Sequence, residues 1–155
     1  CAAFDMDNVR ITRHDVSEAD IDEATDFSFL TFNAEDQQLF LASDNGSVAV
    51  LTEKQDDFKQ VSRRCVLDGH LPKDTECSRP LRITAFEHVV ELEAVFAATR
   101  CGTVLLFRPE GPNLEEVGSV VSGVIAARWS PDGEVLALLS GEGRLVLMGT
   151  GWAIL

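Results

Sequence analysis

The sequence predicts an all-β fold made of about three similar antiparallel units. Three observations carry that expectation. A block of about twenty residues occurs three times along the chain. Each block reads as short apolar strands parted by glycine-bearing turns. No stretch longer than ~12 residues keeps a helical apolar period with caps.

The first block, FNAEDQQLFLASDNGSVAVL, covers residues 32–51, and the last, WSPDGEVLALLSGEGRLVLM, covers 129–148. They align without a gap: Phe32 meets Trp129, Leu39 meets Leu136, Leu41 meets Leu138, Ser43 meets Ser140 and Gly46 meets Gly143. The middle block, FEHVVELEAVFAATRCGTVLLF, covers 86–107 and aligns once two extra residues are placed in its first turn. Gly46, Gly102 and Gly143 then stand 56 and 41 residues apart. Phe32, Phe86 and Trp129 are the expected equivalent core anchors.

Central strands are expected at 39–43, 95–99 and 135–139, where the residues are apolar and suit a buried sheet. Third strands follow at 48–51, 104–107 and 145–148. The intervening turns SDNGS, TRCGT and SGEGR each place glycine where a tight hairpin wants a positive φ. Ser130-Pro131-Asp132-Gly133 is the clearest turn before a central strand, since Pro131 presets φ and Asp132-Gly133 completes the reversal. Residues 60–67 (QVSRRCVL) and 116–121 (EVGSVV) can each add an outer strand. Four strands per unit, repeated every ~40–50 residues, mark the blades of a β-propeller. The expected organisation is one partial propeller over 1–155, with blades near 9–67, 68–121 and 122–155, the last incomplete. An open arc leaves strand edges unpaired. The natural protein is therefore expected to continue past Leu155, or to be completed by another chain.

Composition narrows the function classes. The 155 residues carry 26 acidic and 13 basic side chains, a formal net charge of −13. Such a surface repels phosphate, which argues against primary nucleic-acid contact and against an anionic membrane. No apolar run approaches the ~20 residues of a membrane helix. Cys1, Cys65, Cys77 and Cys101 include no C-x-x-C pair, so free thiols in a reducing compartment are expected.

The unit ending Ser130-Pro131-Asp132-Gly133 resembles the WD40 propeller repeat, although Phe107-Arg108 and Met148-Gly149 stand where that family closes with Trp-Asp. The run LEEVGSVVSGVIAARWSPDGEVL, residues 114–136, is similar to the first propeller of the largest subunit of the Elongator complex. The shared features are Val117, Gly118, Ser119, Val120, Ser122, Gly123, Trp129, Ser130, Pro131, Asp132 and Glu134. CGTVLLF and DNGSVAVL resemble the same propeller more loosely. The resemblance implies a scaffold of tandem propellers and a C-terminal helical region, for assembly and dimerisation. The complex modifies wobble uridines of tRNA, and its chemistry belongs to a radical-SAM acetyltransferase subunit. Protein subunits are the implied partners, with tRNA reached only through the complex. The cytoplasm, with the nucleus as an additional location, is the implied setting.

Candidate chemistry is sparse. Asp5-Met6-Asp7 has the D-x-D spacing of a magnesium-dependent phosphotransfer site, but an exposed edge or loop explains it more simply. Gly141-x-Gly143 leads into a strand rather than a helix N-terminus, so it reads as a hairpin. His14, His70 and His88 lie far apart, and His88 reads as a surface turn residue. The acidic stretch 15–26 lacks the ligand order of a calcium loop. No catalytic, cofactor-binding or metal-binding residue is expected. The rival readings are a propeller adaptor in another assembly, such as trafficking or ubiquitin ligation, and a phosphotransfer enzyme using Asp5 and Asp7.

Overall fold

Short apolar strands that bury both faces need a neighbouring sheet on each side, and the chain meets that need by repetition. The computed structural model describes residues 2–5, 10–13, 27–44, 46–54, 57–65, 82–108 and 114–155. Strands β1 (Ala2–Asp5) and β2 (Arg10–Arg13) form an antiparallel pair of their own. A second sheet places β3 (Phe27–Asn33), β4 (Gln38–Ser43), β5 (Ser47–Lys54) and β6 (Asp57–Cys65) side by side in chain order. The arrangement is repeated by β7 (Ile83–Val89), β8 (Ala94–Thr99), β9 (Thr103–Phe107) and β10 (Leu114–Ser119). A last sheet holds β11 (Val124–Trp129), β12 (Val135–Ser140) and β13 (Leu145–Gly149). Residues 153–155 begin a fourth line along β13: Met148 bridges Ile154, and the Leu155 N–H donates to the Leu147 carbonyl at 3.0 Å. Among the described residues the helical content is one 3-10 turn, Val90–Leu92. The fold is therefore all-β, a partial propeller of antiparallel sheets.

The three large sheets, here called blades, share one register down to their irregularities. Each first strand slips by one residue at the same place, between Phe27 and Phe29, Ile83 and Ala85, and Val124 and Ala126. Beyond the bulge, Phe32 lies opposite Leu39, His88 opposite Val95 and Trp129 opposite Leu136. The equivalent of Phe32 and Trp129 is thus His88, not Phe86. Phe86 lies opposite Ala97 and matches Leu30 and Ala127. The expected two-residue insertion in the middle block is absent, because the 3-10 turn lets loop 89–94 match loops 33–38 and 130–135 in length. Burial separates the expected trio as well: Phe32 is 44% exposed, whereas Phe86 and Trp129 are each 7% exposed.

The core lies between blades. Phe40, Ala42, Val48 and Val50 of the first blade pack against Val95, Ala97, Leu105 and Phe107 of the second. Phe96, Ala98, Val104 and Leu106 leave the other face of the second blade to meet Trp129, Leu136 and Leu138 of the third. Strict alternation along β8 therefore serves two interfaces at once, and every residue of β8 is buried.

The hairpins after the central strands also coincide. Gly46, Gly102 and Gly143 take φ of 88°, 105° and 77°, and donate to Ser43, Thr99 and Ser140 carbonyls at 3.0, 2.9 and 2.9 Å. The hydroxyls of Ser43, Thr99 and Ser140 accept the N–H of Ser47, Thr103 and Arg144 at 3.1, 3.0 and 3.2 Å. A hydroxyl at the strand end and a glycine three residues on thus close each turn from both sides.

Two further sequence expectations are corrected. Cys101 is disulfide-bonded rather than a free thiol, since spacing along the chain does not restrict pairing between segments brought close in space. His88 sits within β7 rather than a surface turn. Asp5 ends β1 opposite Arg10 in an antiparallel pair, not a parallel α/β sheet, and Asp7 lies outside the described residues. His14, His70, Cys1, Cys77 and stretch 15–26 also lie outside them.

Candidate interaction site

Each seam between blades is joined by two side-chain devices. In the first, the residue before the anchor position on one blade caps the anchor of the next. Thr31 Oγ1 accepts the His88 N–H at 2.9 Å, and Glu87 Oε2 accepts the Trp129 N–H at 3.2 Å. Thr31 and Glu87 hold the same register position, opposite Phe40 and Phe96. In the second device, those phenylalanines meet the incoming ring. Phe40 stacks on His88 with centroids 5.8 Å apart, and Phe96 meets Trp129 edge-on at 5.9 Å. Such pairs add ~0.5–1.5 kcal/mol to the burial of the rings. Trp129 also meets Trp152 at 6.0 Å, and its buried indole N–H has no hydrogen-bond partner among the described residues.

The loops leading into the central strands gather at one end of the blades and carry Glu35, Asp36, Glu91, Glu93, Asp132 and Glu134, with no Lys or Arg among them. Asn33 Oδ1 accepts the Glu35 N–H at 3.0 Å, and Asn33 Nδ2 donates to Asp36 at 2.9 Å. In the third loop the Ser130 hydroxyl donates to Asp132 and accepts the Val135 N–H at 2.9 Å. The Ser130 hydroxyl, then the Glu134 N–H, hold the Asp132 carboxyl below the usual carboxylate range. Pro131 is exposed in this turn, and Gly133 takes φ of 70°. The turn closes on the blade before it: a Cβ at Gly133 would lie 2.9 Å from Glu91 Cγ.

Between the first two loops opens a cleft of about 380 Å³, lined by Asn33, Glu35, Asp36, Gln38, His88, Val90, Glu93 and Arg108. Burial holds the His88 imidazole below its usual pKa, partly offset by the charges of Asp36 and Glu35. A smaller cleft of about 240 Å³ lies at the seam of the second and third blades, beside Arg100, Ser122, Gly123 and Ile125. Among the described residues no group of His, Cys, Asp and Glu side chains is arranged to hold a metal ion. The chemistry on offer is recognition, through carboxylates and backbone groups at the loop end and apolar strand faces at the sides.

The sequence located the turn residues of this surface, Ser130 to Gly133 and the hairpin glycines. It missed Thr31, Glu87 and His88, whose roles depend on partners 57 and 42 residues away. The available signal was the gapless alignment of His88 with Trp129.

Blades joined by repeated seams, with recognition groups in their loops, define a segment of a β-propeller interaction module. Residues 6–155 match the family described as ELP1 first N-terminal beta-propeller, and the chain belongs to that family. Among curated relatives, Elongator complex protein 1 of Rattus norvegicus is 29% identical over 79% of this chain and 9% of its own length. The Mus musculus protein of that name is 31% identical over 74% of this chain and 8% of its own. The Arabidopsis thaliana one is 34% identical over 47% of this chain. The chain thus spans less than a tenth of the length of these relatives. Among solved structures, a candidate 6-phosphogluconolactonase from Bacteroides uniformis aligns with a TM-score of 0.62 and 15% identity, over 99% of this chain and 45% of that one. At that identity the likeness concerns the fold alone.

Proposed function

We propose that the chain forms part of a non-catalytic scaffold, a propeller that holds other protein subunits of an Elongator-type assembly. The family match over residues 6–155 is the observation that carries this reading. On it, tRNA wobble uridines are modified by a separate radical-SAM acetyltransferase subunit, and this chain reaches tRNA only through the complex. The net charge of −13 supports that division of labour, because it disfavours direct contact with RNA phosphates. The assembly works in the cytoplasm, with a nuclear pool as an additional location.

Affinity capture with the intact protein tests the reading. Recovery of a radical-SAM acetyltransferase subunit is the expected result. Recovery of trafficking or ubiquitin-ligase components without that subunit would replace it with the generic adaptor. Phosphatase turnover lost on Asp5→Ala or Asp7→Ala would overturn the non-catalytic assignment.

A further inference from the structure

At the hairpin end of the blades, each seam brings the residue after a central strand to the residue before the next first strand. At the first seam these are Asp44 and Arg82. The Ile83 N–H donates to the Asp44 carbonyl at 2.9 Å, and the Asp44 and Arg82 side chains form an ion pair at 3.9 Å. Register makes Arg100 the equivalent of Asp44, and Gly123 the equivalent of Arg82. The second seam thus carries a cation where the first carries a carboxylate, and no side chain where the first carries a guanidinium.

Gly123 cannot supply the missing partner. Its φ is 85°, and a Cβ there would lie 2.3 Å from the Arg100 carbonyl oxygen. The seam therefore stays open as the cleft of about 240 Å³ lined by Arg100, Ser122, Gly123 and Ile125. The Arg100 side chain is exposed, and no carboxylate pairs with it among the described residues. Ile125, the extra residue of the β11 bulge, is 52% exposed in the cleft wall, and Val121 in the adjoining linker is fully exposed. Both blades that flank this cleft are present. Thr84, the equivalent of Ile125 with a blade on each side, is also partly accessible.

We propose that this cleft docks an acidic, apolar segment of a partner protein, with one Asp or Glu carboxylate on the Arg100 guanidinium and a neighbouring apolar side chain against Ile125. The inference rests on the scaffold reading and deepens it by giving the place and chemistry of one contact. Charge complementarity selects the occupant. A guanidinium offers donors only, in a fork that a carboxylate fits with two hydrogen bonds. The preceding seam fills the same charge relationship with a carboxylate, that of Asp44. The Ser122 hydroxyl adds a donor at the wall. An RNA backbone is disfavoured by the net charge of −13, and its phosphates gain nothing from Ile125 and Val121.

The test uses the intact protein captured with its native assembly. Arg100→Lys places an amine in the cleft, and a carbodiimide joins that amine to a carboxylate in contact with it. The expected product, read by mass spectrometry, is an amide between position 100 and an Asp or Glu of another protein, with an apolar residue beside it. Arg100→Glu is expected to lower recovery of that same protein at least about tenfold, and Ile125→Ser about threefold. Thermal unfolding midpoints should not change, because both side chains are exposed. Where Arg100→Glu lowers the midpoint, Arg100→Gln takes its place, with a loss of about threefold expected. No amide, or an amide only to a carboxylate of this chain in the same or a second copy, would overturn the proposal. So would recovery indifferent to Arg100→Glu, or a partner released by ribonuclease, which indicates an RNA phosphate. Those results leave the scaffold reading standing, whereas failure to capture any partner with Arg100 in place would overturn both.

Discussion

The ring of His88 lies within 3° of parallel to that of Phe40, across the seam between the first two blades. One seam later, Trp129 meets Phe96 in the equivalent place. Different rings thus perform one task, and in each case the blade before it also caps the backbone N–H of the incoming residue.

Removing either ring at the second seam should unsettle two blades together. Phe96→Ala and Trp129→Ala are each expected to destabilise by about 3–5 kcal/mol, with the double variant short of additivity by about 0.5–1.5 kcal/mol. Phe32→Ala should cost less than half as much, since that ring is 44% exposed. Denaturant unfolding of the four variants checks both statements.

Acidification should weaken the first seam before carboxylates begin to titrate. Burial holds the folded His88 pKa below its unfolded value of about 6.5. The unfolded chain therefore binds more protons in that window, so the contribution of neutral His88 is present above about pH 6.5 and is lost as pH falls towards the folded pKa. Unfolding midpoints between about pH 7.5 and 5.5 should fall in the native chain, and fall less in His88→Phe.

How much of this could be read in the chain depends on the range of each interaction. The hairpins were legible because Ser43 with Gly46, Thr99 with Gly102 and Ser140 with Gly143 act within one turn. The antiparallel order followed from those hairpins. The seams were not legible in the same way. Phe86 drew the alignment because its ring resembles Phe32 and Trp129, while the position selects a planar ring able to face a phenylalanine, a condition His88 also meets. The 3-10 turn concealed the equal loop length, because its positive φ falls on Glu93 rather than on a glycine. The acceptor roles of Thr31 and Glu87 are set by a different blade and leave no local pattern.

Two glycines should tolerate no side chain, for a reason separate from turn conformation. A Cβ at Gly102 would fall 1.9 Å from the Val120 carbonyl oxygen, and one at Gly141 would fall 1.8 Å from that of Ser122. Backbone would have to move in both cases. At Gly143 the space is open, so only the positive φ opposes alanine, a penalty of about 1–2 kcal/mol. Thermal unfolding should rank Gly102→Ala and Gly141→Ala well below Gly143→Ala.

The buried hydroxyl of the second hairpin gives a smaller, cleaner effect. Thr99→Val keeps the shape of a fully buried side chain but leaves the Thr103 N–H without its acceptor. A loss of about 1–3 kcal/mol is expected from chemical denaturation. Ser140→Ala should lose less, because Arg144 is exposed and water can replace the hydroxyl.

The most direct measurement is an experimental structure of the intact protein, with the three blades superposed on β4, β8 and β12. His88 should fall on Phe32 and Trp129, with Phe40 and Phe96 turned towards the following blade. Superposition that instead brings Phe86 onto those two residues, or that puts the three first strands in different registers, would contradict the account.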